Sequence, residues 1–294
     1  MSKLIFVIIW SVASMWVVCA QTISGTIADL QTHEVLPFVN IGVVGRDIGT
    51  VTDENGHFTI SAPNALSTDT LRLSMVGYTT QIWTLASFLQ KYPDKSTVYL
   101  APANIKLAAV TIRPRNFKKR ILGNESENKF MTAAFKINDL GSELGVLIKT
   151  KKTPTFVRRF NCFVARNSYD TLFFRVNIYD TKNGKPTNNI LQQNVFVEKI
   201  GFKEGWIDID LTPYNISVAN DFVISLEWVK DLDVNMPKDI SEKEARKKMQ
   251  RGEGLLFSVV PFGSAALYRK ASQGRWEKVT GFGVGFNVEV EQEE

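Results

Sequence analysis

Side chains suited to acid–base or nucleophilic chemistry are scarce in this 294-residue chain. It holds two histidines, His33 and His57, and both fall in or beside predicted turns. A Ser–His–Asp site would need one of them, yet the sequence has no Gly-x-Ser-x-Gly elbow to present the serine. A zinc peptidase draws on several suitable ligands, and the chain has no His-Glu-x-x-His pattern. These features argue against hydrolysis by either route.

Paired carboxylates are the remaining catalytic candidates, because glycoside hydrolysis uses two of them. Asp208 and Asp210 alternate with isoleucines, so they share one face of a predicted strand. That alternation is typical of a strand with one face in solvent, and we interpret the pair in this way. Glu227 and Asp231 are the other acidic residues considered. We predict no catalytic residue, no metal ligand and no cofactor, and therefore a protein that is not an enzyme.

Residues 1–20 have the composition of a secretory signal peptide. Residues 4–18 are almost wholly apolar, and Val18 and Ala20 suit the positions that precede a cleavage site. The run is short for a transmembrane anchor. A retained anchor and a lipoprotein centred on Cys19 are the alternatives. No later run is long enough to cross a bilayer, so we predict an exported chain with no transmembrane segment after processing.

Cysteine and charge add two further limits. Cleavage would leave Cys162 as the single cysteine, and we interpret it as a small buried hydrophobic residue in a strand. The net charge is +5 with both signs abundant. Basic clusters at 118–120, 149–152 and 158–159 could contact lipid phosphates or polyanionic glycans, but we interpret them as solvated edges and linkers. No nucleic-acid-binding motif is present, and we predict no nucleic-acid partner.

Residues 37–61 carry the most specific pattern in the chain. Apolar side chains alternate from residue 38 to residue 44, which predicts a strand with one apolar face. A turn cluster of Asp, Glu, Asn and Gly follows at 53–56. Phe58 and Ile60 then form the apolar face of a return strand. The stretch therefore predicts strands that double back through a tight turn.

Five motifs in this part of the chain resemble the carboxypeptidase-like regulatory domain, a small transthyretin-like β-sandwich. They are Ile23–Ile27, Leu36–Ile41, Gly49–Asp53, Asn55–Phe58 and Leu71–Tyr78. The resemblance spans about residues 22–101 and implies a module without peptidase residues. In Gram-negative envelope proteins this module commonly precedes other domains, including TonB-dependent transporters. The resemblance therefore implies the periplasm, outer membrane or cell surface of a Gram-negative bacterium. We expect no transporter barrel here, because too few residues follow the module.

The fold class predicted for the whole chain is all-β. We assign residues 21–102 to the transthyretin-like sandwich, 103–144 to a connector and 145–294 to a second β-sandwich. Short strands separated by turn clusters favour a jelly-roll-like arrangement for the second sandwich. Within it, residues 231–254 form an insertion. Ser241 and Glu244 form a capping box inside this insertion, and the residues that follow are predicted to be helical. Residues 107–112 of the connector form a predicted strand that could pair with another chain.

Aromatic residues of the second predicted domain are the remaining binding signal. Trp206, Tyr214, Tyr268 and Trp276 are the candidate ligand-binding residues, because sugars stack on aromatic rings. Filling the core between two sheets is the alternative role for such rings. Trp276 lies on a predicted hairpin between charged residues and is the first choice. We predict a non-catalytic, exported envelope protein that binds a glycan or a protein partner. An accessory subunit or cryptic hydrolase, and an assembly component that uses strand addition, are the alternatives.

Overall fold

The computed structural model describes residues 21–103, 117–134, 140–151, 154–230, 244, 247 and 254–293. These residues form two β-sandwiches, the first sandwich (residues 21–103) and the second sandwich (residues 117–293). The first sandwich lies against one outer face of the second. This arrangement creates the site described below.

The first sandwich consists of two small sheets and one short helix. Its elements are β1 (Gln21–Asp29), β2 (Asn40–Val43), β3 (Gly49–Val51), β4 (His57–Ala62), β5 (Thr70–Ser74), β6 (Gln81–Thr84), α1 (Leu85–Lys91) and β7 (Ser96–Leu100). One sheet has the order β4-β1-β7 and the other has the order β3-β2-β5-β6. Strand β7 runs parallel to β1, whereas the other pairs are antiparallel.

Alternation of apolar and polar residues decides which side of each strand is buried. In β4, Phe58 and Ile60 are buried in the core, while His57 and Thr59 are exposed. The turn before β4 is held by Asp53, whose Oδ1 accepts hydrogen bonds from two backbone N–H groups at 2.8 and 2.9 Å. This carboxylate therefore has the turn-forming role that its position predicts.

The second sandwich is larger and also has two sheets. Its strands are β8 (Phe117–Gly123), β9 (Thr132–Ala134), β10 (Glu143–Ile148), β11 (Thr155–Asn167), β12 (Thr171–Lys182), β13 (Lys185–Asn189), β14 (Val195–Ile200), β15 (Gly205–Asp210), β16 (Ser217–Val218), β17 (Phe222–Trp228), β18 (Leu255–Pro261), β19 (Ala266–Arg269), β20 (Glu277–Lys278), β21 (Phe282–Val284) and β22 (Phe286–Glu293). A 3₁₀ turn at Thr212–Tyr214 separates β15 from β16.

We call the two sheets of the second sandwich the front sheet and the back sheet. The front sheet has the order β13-β12-β17-β10-β19-β20, with β14 also paired to β12. The back sheet has the order β21-β18-β11-β22-β8, with β15 and β16 paired to β11 and β9 paired to β18. Successive long strands cross between the sheets, as β10, β11 and β12 do. Jelly rolls connect their two sheets in this way.

Strand β17 of the front sheet is buried on both of its faces. Phe222, Ile224 and Leu226 point into the core between the two sheets of the second sandwich. The alternate residues, among them Ser225 and Glu227, lie on the outer face and are nonetheless fully buried. They are buried because the first sandwich covers that face, and polar side chains there must find partners within the protein.

The prediction of an all-β, sandwich-like architecture is confirmed. Residues 117–123 and 132–134, which the sequence assigned to the connector, form β8 and β9 of the back sheet. Most of the insertion 231–254 lies outside the described residues, apart from helical Glu244 and Lys247 and from Gly254. The predicted signal peptide and the predicted strand at 107–112 lie outside the described residues too.

A candidate binding cleft between the two sandwiches

Four charged residues form a continuous row across the outer face of the front sheet. Arg175 of β12 is the register partner of Glu227 of β17. Glu227 is in turn the partner of Glu143 of β10, and Glu143 is the partner of Arg269 of β19. Directly opposed residues on neighbouring strands lie close enough to interact. Register therefore brings together four side chains that are far apart in the sequence.

The row consists of two buried ion pairs placed side by side. Arg175 Nη2 lies 2.8 Å from Glu227 Oε2, and Arg269 Nη2 lies 2.5 Å from Glu143 Oε2. All four side chains are at least nine-tenths buried. Burying charges is costly unless they are paired and hydrogen-bonded, and removing one partner of a buried pair is strongly destabilising. Each arginine thus compensates a carboxylate that has no access to water.

Neighbouring polar groups occupy the remaining hydrogen-bonding positions of Glu143. Its Oε1 accepts from Asn177 Nδ2 at 3.0 Å and from the Ser225 hydroxyl, and its Oε2 accepts from Tyr179 at 3.1 Å. Burial raises the pKa of Glu143, and Arg269 opposes that rise. Burial likewise raises the pKa of the Tyr179 phenol, which keeps it protonated as a donor. These groups are committed to holding the sheet face together rather than to proton transfer.

The first sandwich contributes directly to this network. Arg175 Nη1 donates to the backbone oxygen of Phe38 at 2.7 Å. The Asn40 amide is oriented so that its nitrogen donates to Glu227 Oε1 at 2.6 Å and to Ser272 Oγ at 2.7 Å. In the same orientation its oxygen accepts from Arg175 Nη2 at 2.5 Å. The start of strand β2 is therefore hydrogen-bonded to the row of charges.

Two glycines allow the backbones of the two sandwiches to touch. A Cβ atom at Gly42 would lie 2.2 Å from the Ser272 backbone oxygen, and one at Gly49 would lie 2.1 Å from it. The two glycines are partners across β2 and β3, so they form one flat patch. Gly45 N also donates to the Gln273 oxygen at 3.0 Å. The turn before β20 can occupy this patch because neither glycine has a side chain.

An apolar seam flanks the charged row on one side. The Phe38 ring contacts the rings of Phe173 and Phe196, with centroids 5.4 and 5.3 Å apart. Val51 and Val229 pack against the same ring. Phe38 is buried although its backbone has a φ of 60°, a left-handed conformation that is unusual for a bulky residue. The seam buries apolar surface of both sandwiches on this side of the interface.

On the other side of the row the two sandwiches separate and leave a cleft of about 560 Å³. Its size lies in the range of small-ligand sites. The wall from the first sandwich includes Arg72, Ser74 and Tyr78, and the floor from the second includes Tyr179, Asn189, Arg269, Gln273 and Trp276. The lining contains both aromatic rings and amide groups. Such a lining suits a ligand that offers both an apolar face and hydroxyl groups.

Trp276 is the principal aromatic surface of the cleft. It is half-buried, and its ring lies edge-on to Tyr179 with centroids 5.7 Å apart. The Arg269 guanidinium carbon lies 5.1 Å from its centroid, which is within cation–π range. These contacts hold the Trp276 ring against Arg269 and Tyr179. Part of the indole remains accessible to solvent.

The other three aromatic candidates lie away from the cleft lining. Trp206 Nε1 donates to Glu127 Oε1 at 2.7 Å, and its ring packs on Phe163. The Tyr268 hydroxyl donates to Glu277 at 2.5 Å. Tyr214 packs against the core of the second sandwich. The structure thus brings one of the four predicted binding residues, Trp276, to the cleft.

The side chains considered for catalysis are dispersed. His57 is exposed and its Nδ1 lies 2.8 Å from the Thr26 hydroxyl. Asp208 and Asp210 are both exposed on β15. Cys162 is buried in the core, and burial raises the pKa of its thiol, so the thiolate is disfavoured. Among the described residues, no cluster of His, Cys, Asp and Glu could hold a metal ion.

The basic clusters of the back sheet meet acidic partners. Residues 119–120 and 158–159 border one groove together with Glu289 and Glu291. Arg158 Nη2 lies 2.7 Å from Glu291, and Arg159 Nε lies 3.8 Å from Glu289. Partly exposed pairs of this kind contribute little free energy. They nonetheless reduce the positive potential that a polyanionic partner would require.

The sequence does not indicate four of the residues at this site, namely Glu143, Arg175, Arg269 and Arg72. One signal could have revealed the row: each of its members interrupts a strand whose other residues are mostly apolar. A charge in such a strand needs a buried partner. The sequence does not show which partner, because cross-strand register is not encoded in spacing.

The geometry defines a two-sandwich, all-β chain whose first sandwich covers one face of the second. Residues 23–112 match the family model of the CarboxypepD_reg-like domain. The family predicted for the first sandwich is therefore confirmed, and this family is a regulatory, non-catalytic one. No curated protein matches the chain. Among the described residues, no helix is long and apolar enough to cross a membrane.

Proposed function

We propose that this chain is a non-catalytic protein of the cell envelope that binds a glycan in the cleft between its two sandwiches. The observation that carries the proposal is the cleft itself, where Trp276 offers a ring face beside amide and hydroxyl side chains. Sugars present C–H faces to aromatic rings and hydroxyls to amides. Trp276 is also held from behind by Arg269 and Tyr179, so little ordering is needed on binding.

Two observations support binding rather than catalysis. Among the described residues that line the cleft none is a carboxylate, and Glu143 and Glu227, which pair with the lining residues Arg269 and Arg175, are fully buried. A general acid or base must reach the proton it transfers, either directly or through one water. The regulatory family of residues 23–112 is the second support. The signal-peptide-like residues 1–20 and the family together support an envelope location.

Glycan-array binding with a Trp276→Ala variant tests this function. We expect the purified wild-type chain to bind a defined subset of glycans and the variant to bind them about tenfold or more weakly, since truncation of an aromatic anchor residue often costs about 2 kcal/mol or more. Trp206→Ala is the matched control, because Trp206 lies outside the cleft lining. A flat response of the wild-type chain across the array, or equal binding by both variants, would contradict the proposal.

A further inference from the structure

Arg72 borders the cleft and, among the residues that the structure describes, has no ion-pair partner. It lies on β5, paired in register with Gly42 and Ile82, and its side chain borders the cleft. Its Nε is buried and has no hydrogen-bond partner. Among the described residues no carboxylate forms an ion pair with it. Buried donors are nearly always satisfied in folded proteins, so a donor that has no protein acceptor and borders a cleft is available to an acceptor that enters the cleft.

Arg269 presents a second unmet donor in the same cleft. Its Nη2 is used by Glu143, but its Nε is buried and also has no partner. Burial lowers the pKa of Arg72, and the nearby positive charge of Arg269 lowers it further. Both guanidinium groups border the same cleft, so their like charges oppose each other there. Within the described part of the chain, no third carboxylate forms an ion pair with either arginine.

The charged residues in and beneath the cleft do not balance. Arg72, Arg175 and Arg269 border the cleft, and two carboxylates, Glu143 and Glu227, lie beneath them. Both carboxylates are committed to Arg175 and Arg269. One guanidinium charge is left over, and it is the one on the wall opposite the floor that holds Trp276.

We infer that the cleft binds an acidic saccharide, with an oxyanion of the ligand on Arg72 and a sugar ring on Trp276. The inference rests on the proposed function and specifies its ligand class. A guanidinium group matches the two oxygens of a carboxylate in a planar, bidentate geometry. Gln273 and Asn188 border the same cleft and supply amide groups for the sugar hydroxyls. The ligand would also offset the repulsion between Arg72 and Arg269.

Isothermal titration of the full-length processed chain with three probes tests the inference. The probes are trigalacturonic acid, its fully methyl-esterified and therefore neutral form, and inorganic phosphate. We expect the acid to bind about tenfold or more tightly than the ester, because only the acid can form a charge-assisted hydrogen bond with Arg72. Phosphate alone should bind more weakly than the acid, because it has no face for Trp276.

Substitution of Arg72 locates the preference. Arg72→Gln should remove the advantage of the acid over the ester and leave affinity for the ester within about twofold. Arg72→Lys should keep part of the preference for the acid, because lysine retains the positive charge but cannot form the bidentate hydrogen bonds of a guanidinium group. Arg166→Gln is the matched control: it removes the same charge from an exposed position of the back sheet outside the cleft lining.

The outcomes separate the ligand class from the function. Equal binding of acid and ester by the wild-type chain would overturn the acidic ligand and leave glycan binding intact. Binding of neither saccharide, with no other uronic acid bound on the array, would overturn the acidic ligand, and a flat array would overturn the function too. If inorganic phosphate bound as tightly as trigalacturonic acid, the inference that the ligand is a saccharide would be overturned. The wild-type comparison needs no variant, so it decides the question even if Arg72→Gln fails to fold.

Discussion

Arg175 links the two sandwiches at the scale of a single residue. It pairs with Glu227 through Nε and Nη2, and it donates from Nη1 to the Phe38 backbone oxygen. Its side chain is 1% exposed. Buried ion pairs are not always stabilising overall, since burying both charges is costly. Loss of one partner is different, because the other charge then stays buried without compensation.

Arg175→Met should therefore be severely destabilising. We expect its free energy of unfolding to fall by about 3–5 kcal/mol, the usual cost of breaking a buried pair. Urea denaturation followed by circular dichroism measures the change. Arg166→Met at an exposed position should change it by less than about 0.5 kcal/mol. A similarly small effect of Arg175→Met would show that Glu227 is satisfied without it.

Asp29 gives the first sandwich a dependence on acid. Its Oδ1 accepts from the backbone N–H groups of Thr32 at 3.0 Å and Gln31 at 2.6 Å, and its Oδ2 accepts from the Tyr78 hydroxyl at 2.8 Å. These bonds, led by the one from Thr32, lower the pKa of Asp29 below its ordinary value of 3.8. The folded state therefore favours the ionised carboxylate. Its contribution to stability is present above the ordinary pKa and is lost as pH falls through the lower, folded-state pKa.

Asp29→Asn should remove this dependence. The variant should unfold at lower urea than the wild type near neutral pH, and the gap between the two midpoints should narrow as pH falls below 3.8. Urea midpoints measured across that range provide the test. A gap of constant size at every pH would mean that Asp29 acts only through its shape and not through its charge.

At the scale of elements, the β2–β3 hairpin is the part of the first sandwich that fits the front sheet. Gly42 and Gly49 lie opposite each other and leave room for the Ser272 carbonyl. The Gly45 amide closes the contact by donating to Gln273. Neither Gly42 nor Gly49 needs a positive φ, so their absence of a side chain matters for contact alone. An alanine at Gly49 would meet the Ser272 carbonyl of the other sandwich at 2.1 Å and, less severely, the Ile41 carbonyl of its own hairpin at 2.9 Å.

Gly49→Ala should loosen the contact between the sandwiches. Overpacking of this kind costs about 1–3 kcal/mol, and here the strain can be relieved by separation of the two surfaces. Hydrogen exchange of the Gly45 amide is the direct measurement, because its acceptor lies on the other sandwich. We expect faster exchange at Gly45 in the variant. In Thr50→Ala, which changes the neighbouring residue, it should stay slow, and equal rates in both variants would count against the contact.

The hairpin also shows how far sequence carries at this scale. Alternating apolar residues and the Asp53 turn predicted its strands, because side-chain period and turn chemistry are local properties. Its role as a docking surface was not predicted. That role depends on how closely Ser272 approaches Gly42 and Gly49, which lie more than 200 residues away in the sequence. Local patterns contain no measure of such an approach.

The candidate site divides in the same way. Trp276 was predicted because an aromatic residue on a charged hairpin is a local pattern, and the structure places it in the cleft. The sequence does not predict Arg72, Arg175 and Arg269 as site residues, because the role of each depends on residues of a neighbouring strand. Acidic residues on exposed strand faces, such as Asp208, could be assessed from alternation alone.

At the scale of the whole molecule, the interface combines charge, hydrogen bonds and an apolar seam. Phe38 belongs to the first sandwich, yet the rings it contacts belong to the second. The buried row would face water if the first sandwich were removed, and its ion pairs would then lose most of their strength. The two sandwiches therefore have a mutual effect on stability. We expect them to unfold together, in one cooperative transition.

Phe38→Ala should separate the unfolding of the two sandwiches into two transitions. The variant loses the ring that joins the two sandwiches, and burial of a Phe side chain stabilises by about 3 kcal/mol or more. Native-state hydrogen exchange in rising urea, followed separately in β4 and β17, measures the two sandwiches independently. In the wild type both strands should open at the same urea concentration, and in the variant one should open before the other. Phe262→Ala is the control, because that ring is 93% exposed and contacts neither strand's core. Separate openings already present in the wild type would mean that the interface does not couple the two sandwiches, and the cleft would then have walls that move independently.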